Sequence, residues 1–437
     1  MNAAAVSDSE ARAAFEQLAR HERLALAVSG GPDSLALMHL AAEWRGERGA
    51  GPELHVLTVD HKLREGSRGE ALMVGRLAAR LGLPHAILAW EGGGEGRNAL
   101  QARARAARYD LMTAYCHANG IPALATAHTL DDQAETFLMR LKRGSGLDGL
   151  AAIPLTGAWS GIVIERPLLE MPKARLIATL EARGVGYASD PSNADQRFER
   201  VRVREQKDAL AALGLTPEAI ALSARRLRRA RAALDHATDQ FLASASEVSG
   251  AGFALIDREA LLTAPQEIAL RGLARLIAKV GGGEEPVRLV KLEALLASLG
   301  AKPGKAHTLG RCRIGPHKGR LGIFREMRKG RLPTLSLEPG TRALWDNRFS
   351  IELGAEARGP ITVMALGEQG LRDLQDDSSV VSALPRLAGC TLPACFRGKK
   401  LLGLPLLASL SGSGHGLALA CTASFIGAEA GNAKERP

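Results

Sequence analysis

A short glycine-rich segment between two apolar stretches carries the first residues that could do chemistry. Residues 24–28 are apolar and predict a buried strand, and an apolar helical pattern resumes after residue 34. Between them stand, in order, Ser29, Gly30, Gly31, Pro32, Asp33 and Ser34. Glycines let backbone N–H groups converge on an anion, and the start of a helix adds partial positive charge. The segment therefore predicts a phosphate site, with the serine hydroxyls as further hydrogen-bond donors.

The carboxylate of Asp33 would repel a bound phosphate unless a cation lies between them. Carboxylates bind Mg²⁺ beside polyphosphates, so Asp33 is a candidate metal ligand. The segment has neither the G-K-[ST] ending of a Walker A loop nor the G-x-G-x-x-G spacing of a dinucleotide fold. A plain turn in which Asp33 caps the following helix is the structural alternative.

A second polar pair follows the next predicted strand. Asp60 and His61 come directly after the strand predicted at residues 54–59. Open parallel sheets bind ligands at the carboxyl ends of their strands, so both residues are candidates for nucleotide binding. A local ion pair between Asp60 and Arg64 would explain the same residues without a ligand.

Two arginines stand out in the helical pattern of residues 98–112. Arg105 and Arg108 are three residues apart and suit phosphates, because the guanidinium group is planar and permanently charged. They lie away from an apolar face predicted for Leu100, Ala104, Ala107 and Leu111. A solvated basic face is an equally good interpretation of this segment alone.

The densest group of polar residues lies within residues 123–150. A predicted strand ends near His128, and Thr129 can cap a helix in which Asp132 stands three residues later. Asp132 and Glu135 could hold a metal ion, take a proton from an amine, or simply suit the helix dipole. Both are predicted to face away from the apolar stripe of Leu130, Ala134, Phe137, Leu138 and Leu141. His128 is either catalytic or a histidine packed at a strand end.

The segments that position these residues alternate between strand and helix patterns. Strands are predicted at residues 24–28, 54–59, 85–89, 123–126 and 162–165, with helices near 34–45, 68–81, 98–118 and 130–142. This alternation predicts an α/β fold with a parallel sheet covered on both faces. Helical patterns then dominate from about residue 217 to residue 300, and residues 307–326 alternate like a hairpin. Shorter strand patterns after about Leu332 predict a small C-terminal α/β or β-rich domain.

Taken together, the motifs resemble the N-type ATP pyrophosphatases, the PP-loop family, in which S-G-G-x-D-S follows the first strand. Within that family the chain is similar to the tRNA(Ile)-lysidine synthases. The shared motifs are Asp60-His61-Lys62-Leu63-Arg64, residues 104–109, residues 126–136, Arg143 to Gly146, and Arg166-Pro167-Leu168-Leu169. Residues 189–204 resemble the family's D-x-S-N … R-N-x-x-R stretch, with Val201 at the usual asparagine position. Order and spacing match over about residues 23–205.

The resemblance implies an ATP- and Mg²⁺-dependent ligase acting on tRNA(Ile) with a CAU anticodon and on L-lysine. The C2 oxygen of cytidine 34 would be adenylated with loss of pyrophosphate, and the lysine ε-amine would then displace AMP to form lysidine. The implied domains are a PP-loop catalytic domain at 1–215, a mainly helical tRNA-binding domain at 216–331, and a small domain at 332–437.

The resemblance also implies roles for the residues. The segment from Ser29 to Ser34 would bind pyrophosphate, with Asp33 and Asp132 on the metal ion and Glu135 orienting or deprotonating the lysine amine. The remaining site residues would be Arg105 and Arg108 on ATP phosphates or the tRNA backbone, together with His128, Asp60 and His61.

Whole-chain composition fits a nucleic-acid partner, although free use of arginine would explain the charge equally well. The net charge is +10, and basic stretches at 223–234 and 302–331 predict phosphate contacts. Only 4% of residues are aromatic, so base stacking is not expected to dominate. No apolar run, secretory pattern or C-x-x-C pair occurs, so a cytoplasmic protein without a membrane partner is expected. The oligomeric state stays open, with a homodimer one alternative.

Three other functions remain as alternatives. A tRNA thiolase would want paired cysteines, and an amidotransferase-type synthetase would carry a glutaminase domain; the sequence offers neither. A non-catalytic tRNA-binding protein would not need the full set of loop, arginine pair and acid pair.

Overall fold

The structure is a computed structural model, and it divides the chain into two compact units, Met1–Arg231 and Ala232–Asn432. It describes residues 3–62, 66–90, 100–188, 197, 199–283, 285–302, 304–327, 332–375, 381, 383–406 and 420–427. None of the helices within these ranges is long and apolar enough to cross a membrane.

The first unit is built on a six-stranded sheet with the spatial order β3-β2-β1-β4-β6-β5. Its strands are β1 (Arg23–Ala27), β2 (Glu53–Asp60), β3 (His85–Ala89), β4 (Ala123–Ala125), β5 (Thr156–Trp159) and β6 (Ile162–Glu165). All neighbours pair in parallel except β5, which pairs antiparallel with β6 at the edge. The five predicted strands are confirmed, whereas β5, which is short and has no apolar run, was not predicted.

Helices cover both faces of this sheet, as the alternating pattern predicts. The helices of this unit are α1 (Asp8–Phe15), α2 (Pro32–Arg48), α3 (Ser67–Arg80), α4 (Leu100–Ala118), α5 (Leu130–Lys142), α6 (Leu147–Leu150), α7 (Lys173–Ala182), α8 (Glu199–Glu205) and α9 (Lys207–Ala212), and α10 (Pro217–Ala245) continues from the first unit into the second. In β1, Leu24 and Leu26 belong to one buried cluster and Ala25 to the other. Because successive strand residues point to opposite faces, the sheet separates two apolar cores.

The strand order reverses at β1, and this reversal places the candidate site. The chain proceeds from β1 to β2 and β3 on one side, and then returns to β4 on the other side of β1. The carboxyl ends of β1 and β4 therefore flank a topological switch point, where open α/β sheets form a ligand crevice. The glycine-rich segment follows β1, and His128 follows β4.

The second unit begins with a five-stranded antiparallel sheet and three helices. The sheet order is β7-β8-β11-β10-β9, and the helices are α11 (Arg258–Thr263), α12 (Gln266–Gly281) and α13 (Leu289–Ala301). The strands are β7 (Ser246–Ser249), β8 (Phe253–Ile256), β9 (His307–Leu309), β10 (Cys312–His317) and β11 (Arg320–Arg325). The predicted hairpin is confirmed as β10 and β11. The predicted helical pattern did not show β7 and β8, which are four residues each.

The remainder of the second unit is the small α/β region that the sequence predicts. It contains β12 (Leu335–Leu337), β13 (Arg342–Trp345), β14 (Phe349–Leu353), β15 (Ile361–Ala365), α14 (Gly367–Gln375), α15 (Arg386–Cys390), β16 (Pro393–Arg397), β17 (Lys400–Gly403) and β18 (Cys421–Phe425). Two antiparallel sheets result, β12-β15-β16-β17 and β13-β14-β18. The domain boundaries at residues 215 and 331 stay a prediction.

Candidate active site

The glycine-rich segment turns sharply between β1 and α2. Gly30 has φ +91°, a conformation that side chains disfavour, and a Cβ there would lie 3.3 Å from Met73 Cε. Gly31 is the N-cap of α2, and Pro32 occupies the first turn, where its missing N–H leaves no bond unmade. The turn therefore presents bare backbone at a helix N-terminus.

The hydroxyl groups of Ser29 and Ser34 differ in how many hydrogen bonds they make within the loop. The Ser34 hydroxyl donates to the Gly31 carbonyl at 2.9 Å and accepts from the Ser29 backbone N–H at 3.1 Å. The Ser29 hydroxyl lies 3.3 Å from that of Ser34. Ser34 thus shapes the loop, and its predicted contact with phosphate requires its hydroxyl to turn away from Gly31.

In the carboxylate of Asp33, one oxygen pairs with a lysine and the other has no partner among the described residues. Lys173, at the start of α7, donates from Nζ to Asp33 Oδ2 at 2.6 Å. The buried Oδ1 has no hydrogen-bond partner among the residues that the structure describes. Burial raises the pKa of Asp33, and Lys173 offsets only part of that effect. An added cation near Oδ1 would relieve this cost.

The predicted capping box at the start of α5 is confirmed. Asp132 Oδ2 accepts from the Thr129 backbone N–H at 2.9 Å and from the Thr129 hydroxyl at 3.0 Å. The other oxygen, Oδ1, lies 4.0 Å from Arg200 Nη1. Burial opposes ionisation of Asp132, but the Thr129 hydrogen bonds and the nearby Arg200 favour its charged form, and its pKa is lowered. Asp132 is therefore an ionised carboxylate that also holds the helix start.

Glu135 is more buried than its predicted position on a polar helix face implies. Its side chain is 8% exposed and accepts from Arg204 Nε at 2.7 Å through Oε1. The buried Oε2 has no partner among the described residues, and burial raises the pKa of Glu135 despite Arg204. Conversely, Leu141 of the predicted apolar stripe is 51% exposed. This side of α5 packs against α8, which the periodicity of α5 alone could not show.

Four cations that the sequence analysis did not assign to the site face its acids. Lys173 pairs with Asp33, Arg200 with Asp132 and Arg204 with Glu135. Lys207 Nζ lies 3.2 Å from the carboxylate of Asp131, the neighbour of Asp132. Arg200 and Arg204 occupy the arginine positions of the R-N-x-x-R resemblance, which was the available indication. Val201, between them, is buried in α8.

The packed side of α4 differs from the predicted one. Of the predicted apolar face, Ala107 and Leu111 are only half-buried, and the side chains of Leu100 and Ala104 lie outside those that the structure describes. Tyr109, Met112 and Cys116, on another side of the helix, are buried. On the same helix, Arg105 is half-buried and Arg108 is exposed. The larger side chains outweigh alanines in deciding which side packs, and arginine stems can extend that side.

Each of these arginines meets a histidine at a strand end. Arg105 Nη2 lies 3.3 Å from His128 Nε2, and Arg108 Nη2 lies 2.9 Å from His61 Nε2. Burial lowers the pKa of both histidines, that of His61 to about 4. Asp60 accepts from the Ser67 hydroxyl at 2.6 Å and the Lys62 N–H at 3.0 Å, so it fixes the turn after β2. Arg64, its alternative partner, lies outside the described residues.

The comparisons with known proteins cover this whole site. A family model described as the PP-loop domain matches residues 5–207, from before β1 to Lys207. The tRNA(Ile)-lysidine synthase of Ruegeria pomeroyi is 39% identical over 397 residues, covering 89% of this chain and 90% of that protein. That of Bradyrhizobium sp. is 47% identical over 302 residues, covering 67% and 84%. That of Rhodopseudomonas palustris is 48% identical over 298 residues, covering 68% and 85%.

Proposed function

The chain belongs to the tRNA(Ile)-lysidine synthases, and we propose that it joins L-lysine to C2 of cytidine 34 in tRNA(Ile) with a CAU anticodon. The reaction consumes ATP, releases AMP and pyrophosphate, and changes the codon read from AUG to AUA. The observation that carries the proposal is 39% identity to a relative of that name over 89% of the chain. The PP-loop domain supports the use of ATP. These substrates are cytoplasmic, and the reaction is expected there.

The first step activates a poor leaving group. The C2 oxygen of cytidine attacks the α-phosphate of ATP, so a new O–P bond forms and the bond to the β-phosphate breaks. Pyrophosphate leaves with the electron pair of that bond. The backbone N–H groups of Gly30 and Gly31, at the start of α2, are the candidate groups to bind the leaving anion.

Asp33 and Asp132 fit a Mg²⁺ ion in this step. Within the described residues, no group of three or more histidines, cysteines or acids could hold a metal ion alone. Mg²⁺ beside a nucleotide commonly takes only one or two protein carboxylates, with phosphates and water completing its shell. Asp33 Oδ1 is buried without a partner among those residues, which suits such a ligand. When bound, the ion would neutralise charge developing on the phosphates.

Glu135 suits the second step, in which lysine displaces AMP. The lysine ε-amine attacks C2, forming the C–N bond as the C2–O bond to AMP breaks, and the amine loses a proton. Arg204 holds Oε1 of Glu135, which leaves the buried Oε2 as the candidate atom to orient the amine and accept that proton. The raised pKa of Glu135 makes its carboxylate a better base than an exposed one.

The second unit supplies exposed cations for the tRNA body. Lys302, Lys305 and Arg313 are exposed, as the phosphate-contact interpretation of residues 302–331 requires. Two arginines of this stretch are committed elsewhere: Arg320 pairs with Glu247 and Arg325 is buried against Asp346. Fewer than the ten basic residues of the stretch are therefore available to contact tRNA phosphates.

A substrate-dependence assay tests the proposed function. Pyrophosphate release from ATP is measured with tRNA(Ile) or elongator tRNA(Met), both with CAU anticodons, and with lysine present or omitted. We expect release with tRNA(Ile), and AMP release that additionally needs lysine. Equal turnover with both tRNAs, or none with tRNA(Ile), would overturn the proposal.

A further inference from the structure

Two histidine–arginine pairs lie at strand ends of the site, and they differ at the other ring nitrogen: Nδ1 of His128 faces the Thr126 hydroxyl, whereas the buried Nδ1 of His61 has no partner among the described residues. His61 follows β2 and His128 follows β4, and each faces one arginine of α4. Arg108 reaches His61 Nε2 from Nη2 at 2.9 Å and from Nε at 3.2 Å. Arg105 reaches His128 Nε2 at 3.3 Å and also lies over the Tyr109 ring, 5.5 Å from its centroid.

The donors and acceptors of these pairs follow from the chemistry of the groups. A guanidinium carries only donors, so the Nε2 atom that faces it must be the unprotonated acceptor of a neutral imidazole. In His128 the proton then lies on Nδ1 and is donated to the Thr126 hydroxyl at 2.9 Å. Thr126 therefore fixes the ring that receives Arg105.

We propose that His61 and His128 are positioning residues, which aim Arg108 and Arg105 at the phosphates of bound ATP. This inference rests on the proposed function, because it takes the α4 arginines as phosphate-binding groups. Arginine side chains have many rotamers, and fixing one beforehand reduces the entropy lost on binding. A neutral imidazole fixes the guanidinium without adding a negative charge that would repel phosphate.

Pairs of variants separate a hydrogen-bonding role from a space-filling one. Glutamine can place an acceptor where histidine has Nε2, whereas phenylalanine fills the ring volume without an acceptor. We expect H61F and H128F to raise the Kd and KM for ATP about tenfold, as for loss of a hydrogen bond to a charged group. H61Q and H128Q should remain within about twofold to threefold of wild type on the same scale. Thermal unfolding of each variant checks its fold.

Two controls tie the effect to the arginines. His117 lies on the same helix but bonds to the Ser160 carbonyl, so H117F should leave ATP binding unchanged. In an R108A background, H61F should have little further effect, because its target is already absent. If H128F fails to fold, T126V replaces it, and T126S should restore binding.

Three results would overturn the positioning role: phenylalanine variants that bind ATP like wild type, glutamine variants as weak as phenylalanine variants, or full additivity of H61F and R108A. Equilibrium ATP binding judges this role even if no lysidine forms. Wild-type protein that binds ATP but modifies no tRNA would instead contradict the proposed function.

Discussion

Asp33 is half-buried and Glu135 is buried, and the carboxylate of each keeps one buried oxygen without a partner among the described residues. Burial of such atoms is unfavourable, and groups of this kind concentrate where function requires them. In both residues burial raises the pKa, although a cation holds the second oxygen. Each of the two carboxylates therefore has one oxygen that could still bind a cation or a hydrogen-bond donor. A metal ion at Asp33 and an amine substrate at Glu135 would supply that partner.

Asp33→Asn should abolish pyrophosphate release while making the fold more stable near neutral pH. The raised pKa means that the folded carboxyl binds its proton more tightly than the unfolded one. Wild type therefore loses stability as pH rises from the ordinary value of 3.8 through the folded pKa, and the asparagine variant does not. Denaturant unfolding without Mg²⁺, at about pH 4 to pH 7, measures the difference in free energy of unfolding between wild type and the variant.

The gap in free energy of unfolding should widen in favour of the variant as pH rises. Mg²⁺ with ATP should stabilise wild type but not the variant, by binding linkage. Near-normal pyrophosphate release by Asp33→Asn would show that Asp33 is not a metal ligand.

Glu135→Gln should slow lysine transfer far more than it weakens ATP binding. The substitution keeps size and hydrogen bonding but removes the charge and the basicity that the amine requires. If Glu135 takes the proton, transfer of labelled lysine should fall by about 10²–10⁴-fold. Asp110→Asn is the control, because the exposed Asp110 accepts from Trp159 Nε1 instead and belongs to none of the ion pairs of the site. Unchanged transfer in Glu135→Gln would leave Glu135 with only a structural role.

At the scale of elements, the start of α5 combines a structural and a functional task. The capping box uses one oxygen of Asp132 for the helix and leaves the other towards Arg200. Thr129 lies between the strand-end His128 and this helix, so it sets where both residues stand.

Thr129→Ala should destabilise the protein by about 1 kcal/mol, the usual effect of losing an N-cap side chain. It also frees Asp132 Oδ2 from its hydroxyl donor, so the affinity for Mg²⁺ with ATP should change as well. Denaturant unfolding and ATP binding measure the two effects, and Thr129→Ser should restore both. If Thr129→Ala destabilises the protein without any change in ATP binding, Thr129 caps the helix but has no role in nucleotide binding.

The sequence could predict elements with a strong local pattern. The five predicted strands, the hairpin and the capping box are all visible in periodicity and residue type. The packed side of α4 was not, because alanine and leucine spacing pointed away from Tyr109 and Met112. The ion pairs of Lys173, Arg200 and Arg204 join residues 68 to 140 positions apart in the sequence, which no local pattern shows.

In the whole molecule, only some of the basic side chains are exposed and able to contact a nucleic acid. Some arginines of the second unit stabilise its interior: Asp346 accepts from Arg325 at 2.8 and 2.9 Å and from Arg348 at 2.7 Å. The exposed lysines and arginines of residues 302–318 remain for a polyanion. Net charge therefore overstates the number of phosphates that the protein can bind.

Lys302→Gln combined with Arg313→Gln should weaken tRNA binding and flatten its salt dependence. For every phosphate that the variant no longer neutralises, the slope of log K against log salt should fall by about 0.7–0.9. Filter binding or fluorescence titration at several salt concentrations measures the slope. The control removes the same charge from α3 through Arg76→Gln and Arg80→Gln, which are also exposed. An equal change in both double variants would reduce the effect to net charge.

Nucleoside analysis of the modified tRNA tests the central claim most directly. The chain is incubated with a tRNA(Ile) transcript carrying a CAU anticodon, ATP, Mg²⁺ and labelled lysine, and the tRNA is digested to nucleosides. We expect labelled lysidine in place of cytidine 34, with one AMP and one pyrophosphate released for each lysine incorporated. ATP cleavage with cytidine 34 unchanged, or label recovered in another nucleoside, would contradict it.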